Sequence, residues 1–225
     1  MKSKRRTLLK LVGGTIGATV AGAGGAVGWL FWQSRERPLH YSFAAASMSP
    51  VALEPTPDCA GYEATRAQTQ GPYYTPDTPH RSNLREPGMA GLPLVVEGRV
   101  LTTDCLPVPG AVLDVWSCDA AGVYDNEGFR LRGHQFTDND GRFRLETIKP
   151  AAYTDFGFSR TPHLHVRVQG PGTRLLTTQL YFPDEPMNAS DGIFSESLLM
   201  ATTETDGDLH ARFDFVLRPA PTRTA

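Results

Sequence analysis

From Pro93 onward, apolar and polar positions alternate with a period of two. Leu94, Val96, Gly98 and Val100 interleave with Val95, Glu97, Arg99 and Leu101, the signature of a strand with two distinct faces. Asp104 to Gly110 reads as a turn, and Val112 to Trp116 resumes extended chain. Asp138-Asn139-Asp140-Gly141 is a second turn, read as a hairpin, leading into Arg142 to Leu145. Segments His163–Val168, Leu176–Phe182 and His210–Leu217 bring the total to roughly seven strands with regular turn signals between them. No long amphipathic helix competes, so the pattern predicts an all-β fold, an antiparallel β-sandwich with long loops.

The first 38 residues follow a different rule. A basic stretch ending at Lys10 precedes the uncharged, Gly/Ala-rich run Leu11–Trp32, which is a signal or anchor and not part of the fold. Arg5-Arg6 before Thr7-Leu8-Leu9-Lys10 resembles the twin-arginine export signal. The expected location is therefore the periplasm or the outer face of the membrane. Small-x-small cleavage sites occur at Ala21-Gly22-Ala23 and Ala44-Ala45-Ala46, but the 22-residue run is also long enough to span a bilayer. Cleavage and anchoring through residues 11–32 stay open. The expected organisation is a signal or anchor at 1–38, a linker at 39–58 and a sandwich domain at 59–225.

Charge follows the same division. Seven Lys/Arg and one acid precede Leu39. Removing them from the totals of 22 and 24 leaves 15 basic and 23 acidic residues, about −8 in net charge, no footprint for nucleic acid. Cys59, Cys105 and Cys118 permit one disulfide in an exported protein. Cys59 is the favoured partner of one of the other two.

Chemistry concentrates on His163-Leu164-His165. In a strand, positions i and i+2 share a face about 6.6–6.8 Å apart, so both imidazoles can converge on one ion while Leu164, Val166 and Val168 face the core. The bland reading is a solvated edge strand. No His-x-Asp or His-x-Glu supplies the third ligand of an iron(II) facial triad. Tyr124 and Tyr153 are suggestive instead. A phenol is a poor ligand until a highly charged cation lowers its pKa, and for either Tyr alone a loop-tethering hydroxyl is the plainer reading.

In sequence order the chain carries Gln70-Gly71-Pro72-Tyr73-Tyr74, Gly98-Arg99-Val100, Pro107-Val108-Pro109-Gly110-Ala111, and Val115-Trp116 eight residues before Tyr124. Then come Thr147-Ile148-Lys149-Pro150, Arg160-Thr161-Pro162-His163-Leu164-His165 and Thr178-Gln179-Leu180-Tyr181-Phe182. From Gln70 to Phe182 this resembles the intradiol ring-cleavage dioxygenases, the family of protocatechuate 3,4-dioxygenase and catechol 1,2-dioxygenase.

The resemblance implies four non-haem iron(III) ligands, Tyr124, Tyr153, His163 and His165, with Tyr153 and His165 as the axial pair. It implies a catechol substrate, dioxygen as co-substrate and a cis,cis-muconate-type product. Tyr153 would also serve as internal base, and Arg160 would stabilise charge on the attacked ring, held by Gln179. Tyr73 and Trp116 match pocket walls, and Ile193 matches by spacing alone. For Trp116 a buried core indole is an equally good reading. The loops are shorter than in well-known cytoplasmic members and the long helical N-terminal dimer segment is absent, which leaves substrate identity and any homo-oligomer open. The alternative is a metal-free transthyretin-like sandwich that binds partners, suggested by the strand–turn–strand segment Leu94–Trp116.

Overall fold

The computed structural model describes residues 63–155 and 157–221. The expected signal at 1–38, the linker at 39–58 and Cys59 lie outside the described residues.

Among the described residues there are eleven strands and two short 3-10 turns. They are β1 (Pro93–Thr102), β2 (Val112–Trp116), β3 (Arg132–Phe136), β4 (Arg142–Ile148), β5 (Tyr153–Asp155) and β6 (Phe158–Arg160). The rest are β7 (His163–Gln169), β8 (Leu176–Tyr181), β9 (Ala201–Thr205), β10 (Asp208–Arg212) and β11 (Phe215–Leu217). One sheet joins β4, β1, β10, β11 and β9, and a second runs β3-β2-β7-β8. The all-β expectation holds and the core lies between the sheets. Leu94, Val96, Val100, Leu145 and Phe215 from the first sheet pack with Leu113, Val115, Leu164, Val166, Val168 and Leu180 from the second. These are the alternate positions that the period-two pattern assigns to one face.

Two expectations need correcting. The sandwich is not purely antiparallel: β1 pairs in parallel with β10 through Leu94–Glu97 and with β11 through Val100–Thr102. The segment read as one strand, His210–Leu217, is broken at Phe213-Asp214, where the Asp214 carboxylate accepts the main-chain N–H of Arg99 at 2.8 Å. Gly98 makes this break fit, since a Cβ there would stand 1.8 Å from the Phe213 carbonyl oxygen. The Asp104–Gly110 and Asp138–Gly141 turns do reverse the chain locally, with Leu101 opposite Pro107 and the Asp138 N–H donating to the Arg142 carbonyl. Each passes the chain from one sheet to the other, because the antiparallel partner of β1 is β4 and that of β2 is β3.

Candidate metal centre

β7 lies inside the second sheet, between β2 and β8. Its inward row, Leu164, Val166 and Val168, fills the core, which turns His163 and His165 to the other face. This is no solvated edge: both histidines are 1% exposed. Cross-strand neighbours share a face, and the register sets Trp116 and Gln179 on either side of His165, with Tyr181 beside His163. The Trp116 indole lies parallel to the His165 ring, centroids 4.8 Å apart. It therefore backs a histidine.

The two imidazoles converge. Their Nε2 atoms are 3.2 Å apart. The Nδ1 of His163 donates to the Thr161 carbonyl at 2.6 Å, which leaves its Nε2 with a lone pair. Burial, aided by the Arg160 charge, pushes His163 down to about 4. Burial, His163 and Arg160 hold His165 well below the ordinary imidazole range. Both rings are thus neutral at neutral pH, as metal ligands must be.

Tyr124 reaches the same point from the long β2–β3 connection. Asp125 pins that loop by accepting the main-chain N–H groups of Glu127, Gly128 and Arg130. The fully buried Arg132 guanidinium binds the carbonyls of Asp125 and Tyr73, clamping the Tyr73 segment so that Tyr73 stacks on Tyr124 at 4.3 Å. Gly122, at φ +81°, lets the loop pass Tyr153, where a Cβ would stand 3.0 Å from the Tyr153 Cβ.

The Tyr124 hydroxyl is buried without a hydrogen bond of good geometry. Burial raises its pKa far above the usual phenol value, and the nearby Tyr153 and Cys118 add to the rise. Tyr153, on β5, stands edge-on to Tyr124 at 5.5 Å and faces His163 at 5.7 Å between ring centroids. Burial raises its pKa too, although Tyr124 and Arg160 pull the other way.

Arg160 is the cross-strand partner of Tyr153 in the β5–β6 hairpin. Its Nε donates to Asp191 at 3.0 Å and its Nη2 to the Gln179 amide oxygen. Burial alone would lower its pKa, but Asp191 and Tyr153 hold it above the ordinary value. Gln179 is fixed in turn by the Thr69 carbonyl at 3.1 Å. Asp191 also accepts the N–H of Thr161 at 3.0 Å and of Ile193 at 3.1 Å, tying the loop after β8 to the entrance of β7.

The structure thus gathers Tyr124, Tyr153, His163, His165, Arg160, Gln179, Tyr73 and Trp116. Ile193 stands apart: its carbonyl accepts from Gln68 and Tyr181 while its side chain is 40% exposed. Sequence reasoning missed Asp191, Tyr181, Gln68, Arg132 and Asn188. Asn188-Ala189-Ser190 fits a glycosylation pattern, yet the Asn188 amide is used internally, accepting from Thr161 and donating to the Phe182 carbonyl.

The donor set suits a highly charged cation. Nitrogens 3.2 Å apart are neighbouring corners around one ion at about 2.1 Å from each. A buried phenol oxygen without a partner costs free energy unless something cationic meets it, and a cation reverses its raised pKa. Among the described residues no group of three His, Cys, Asp or Glu gathers to hold a metal, so two imidazoles and two phenols are the candidate ligands. A groove of about 940 Å³ elsewhere among the described residues, lined in part by Arg66, Arg99, Arg174 and Arg218, contains none of them.

The chain is similar in sequence and fold to known proteins. Residues 69–219 match the family described as Dioxygenase. The chain is 32% identical over 155 residues to a catechol 1,2-dioxygenase of Candida albicans, covering 58% of this chain and 51% of that protein. It is 35% identical over 161 residues to a hydroxyquinol 1,2-dioxygenase of a Rhizobium species, covering 60% and 54%. It thus spans about half the length of these relatives. Among solved structures, the dioxygenase domain of a dioxygenase carbohydrate-binding protein fusion from Streptomyces sp. SirexAA-E is 46% identical. That match has a TM-score of 0.66 and covers 70% of this chain and all of the other. A hydroxyquinol 1,2-dioxygenase from Pseudomonas putida is 30% identical, with a TM-score of 0.63 and coverage of 70% and 67%. By fold and by family match, the chain belongs to the intradiol dioxygenases.

Proposed function

We propose that this protein cleaves a catechol-type diol between its hydroxyls with dioxygen, at a non-haem iron(III) held by Tyr124, Tyr153, His163 and His165, giving a cis,cis-muconate-type dicarboxylate. The observation that carries the reading is the convergence of two neutral, buried imidazoles and two phenols on one point beside a fixed guanidinium. A metal-free binding module gains nothing from burying these polar groups together.

Bound iron(III) would supply a Lewis acid that chelates both catechol oxygens and opens a ring carbon to dioxygen. The protein supplies the rest. Trp116 and the Thr161 carbonyl fix the two imidazoles, so the ligand geometry is set before substrate arrives. Tyr153 is half-buried at the outer side of the centre, and its phenolate oxygen accepts the proton of one substrate hydroxyl. Arg160 is held by Asp191 through Nε and by Gln179 through Nη2. Held beside Tyr153, the guanidinium charge stabilises negative charge developing on the ring. Export by the twin-arginine route is part of the same proposal and rests on Arg5-Arg6 and the uncharged run Leu11–Trp32.

The test is to supply the protein with iron and catechol, follow oxygen uptake and identify the product. One dioxygen consumed per catechol with cis,cis-muconate formed supports the reading. An extradiol semialdehyde product, or no consumption by protein holding iron, overturns it.

A further inference from the structure

Tyr181 is the last residue of β8, and its side chain is fully buried. Phe194 holds the ring edge-on at 5.1 Å between centroids, which fixes where the hydroxyl stands. Three oxygens lie within its reach: the Gln68 amide oxygen at 2.8 Å, the Gln179 amide oxygen at 3.1 Å and the Ile193 carbonyl at 3.3 Å. A phenol has a single proton to give. Burial pushes its pKa up to about 12, against the pull of the Arg160 charge, so at neutral pH the proton stays on.

Where that proton points follows from the other donors. The Ile193 carbonyl already accepts from Nε2 of Gln68, and Oε1 of Gln179 already accepts from Nη2 of Arg160. Among the described residues Oε1 of Gln68 has no other donor, and it is also the shortest of the three contacts. Neither amide is free to turn over. Nε2 of Gln68 meets the Ile193 carbonyl and Nε2 of Gln179 meets the Thr69 carbonyl, and a carbonyl can only accept. The Tyr181 proton therefore goes to Gln68, which leaves the lone pairs of the phenol oxygen on the side of Gln179 and Arg160. The Gln68 main-chain N–H donates to the Thr177 carbonyl of β8 at 2.8 Å. Two adjacent residues of one segment, Gln68 and Thr69, thus govern both the phenol and the amide that hold the guanidinium.

Resting on the ring-cleavage reading above, we propose that Gln68 and Tyr181 are positioning residues for Arg160. By taking the Tyr181 proton, Gln68 keeps the Gln179 amide oxygen for the guanidinium and turns a lone pair toward it. Without that acceptor the phenol proton swings to Oε1 of Gln179. There it competes with Nη2 of Arg160 and sets a positive hydrogen against a positive charge. The guanidinium then loses its fixed setting beside Tyr153, from which it stabilises charge on the ring. Both residues act through Gln179 and Arg160, and neither acts on the metal.

The test is a nested set of variants of the iron-loaded protein, with kcat and KM for catechol, iron content, the visible spectrum and the catechol dissociation constant without oxygen measured for each. Gln68→Met should lower kcat by about three- to tenfold, the scale of one neutral hydrogen bond. Iron content, spectrum and the dissociation constant should stay within about twofold of the parent. Because Gln68 acts through the hydroxyl and then the guanidinium, Gln68→Met should lower kcat no further in a Tyr181→Phe or an Arg160→Ala background. Gln68→Glu loses the bond to Ile193 but keeps an acceptor for the phenol, and should recover most of the kcat lost in Gln68→Met. An equal loss from Gln68→Met in all three backgrounds would show a merely structural role and overturn the proposal. So would a Gln68→Glu variant as slow as Gln68→Met, or a Gln68→Met variant with unchanged kcat while the parent turns over normally. Iron-loaded parent protein that consumes no catechol overturns the ring-cleavage reading itself.

Discussion

Removing the Asp191 carboxylate is the sharpest perturbation of the centre that leaves every candidate ligand in place. Its side chain is 1% exposed and that of Arg160 is 14% exposed. Asp191→Ala strands a largely buried guanidinium and leaves the N–H groups of Thr161 and Ile193 without their acceptor. Breaking a buried pair from one side costs about 3–5 kcal/mol, and the residual exposure of Arg160 sets the expectation near the lower end, about 3 kcal/mol. For a domain of this size that corresponds to a Tm lower by about 6–12 °C.

A double-mutant cycle isolates the charge pair. The two main-chain donors lose their acceptor in Asp191→Ala and in the double variant alike, so their cost cancels. Arg160→Ala combined with Asp191→Ala removes the stranded charge, and the double variant should be more stable than the sum of the singles by about 2 kcal/mol. Urea unfolding of all four proteins at neutral pH, with a chelator present so that metal does not contribute, measures this coupling. A value below about 0.5 kcal/mol would refute the argument that Asp191 holds Arg160 by charge.

Three further outcomes follow from the same geometry. Tyr124→Phe and His163→Ala should each abolish iron retention, whereas Arg160→Ala should keep iron and lose about two orders of magnitude in kcat, read by metal analysis and oxygen uptake. Gly98→Ala would drive a methyl group to 1.8 Å from the Phe213 carbonyl oxygen. The parallel pairing of β1 must then open, at a cost above about 3 kcal/mol, seen as a lower thermal midpoint. Burial and the neighbouring Asp119 push the Cys118 thiol up to about 12, and it donates to the Ala151 carbonyl at 3.4 Å. A raised acid pKa means that the thiolate is scarce in the fold until pH approaches that value. Iodoacetamide at pH 8 should spare Cys118 in native protein and modify it after unfolding, as peptide mass mapping would show.

What the sequence revealed follows from the length scale of each signal. The row Leu164, Val166, Val168 and the pair His163, His165 are one strand's two faces, written in adjacent letters, so both were legible. Tyr124, Tyr153 and Arg160 became legible only through ordered motifs, because their convergence depends on three separate segments. The roles of Asp191, Arg132 and Tyr181 left no local trace: Asp191 reaches Arg160 31 positions away, Arg132 reaches Tyr73 59 away and Tyr181 reaches Gln68 113 away. The direction of β1 pairing was equally hidden. It is the same on both sides of the break at Phe213-Asp214, and alternation alone does not say which strand lies alongside. Trp116 looked equally like core and like pocket wall because a buried indole on a strand does not announce which sheet face it occupies. The register with His165 decides it.

The central claim is that two tyrosines and two histidines hold iron(III) and present it to a catechol. The most direct test is the visible absorption spectrum of the iron-loaded protein, recorded before and after adding catechol without oxygen. The account predicts a tyrosinate-to-iron(III) charge-transfer band that shifts to longer wavelength when the diol is added. A colourless protein that retains no iron when supplied with it would contradict the claim.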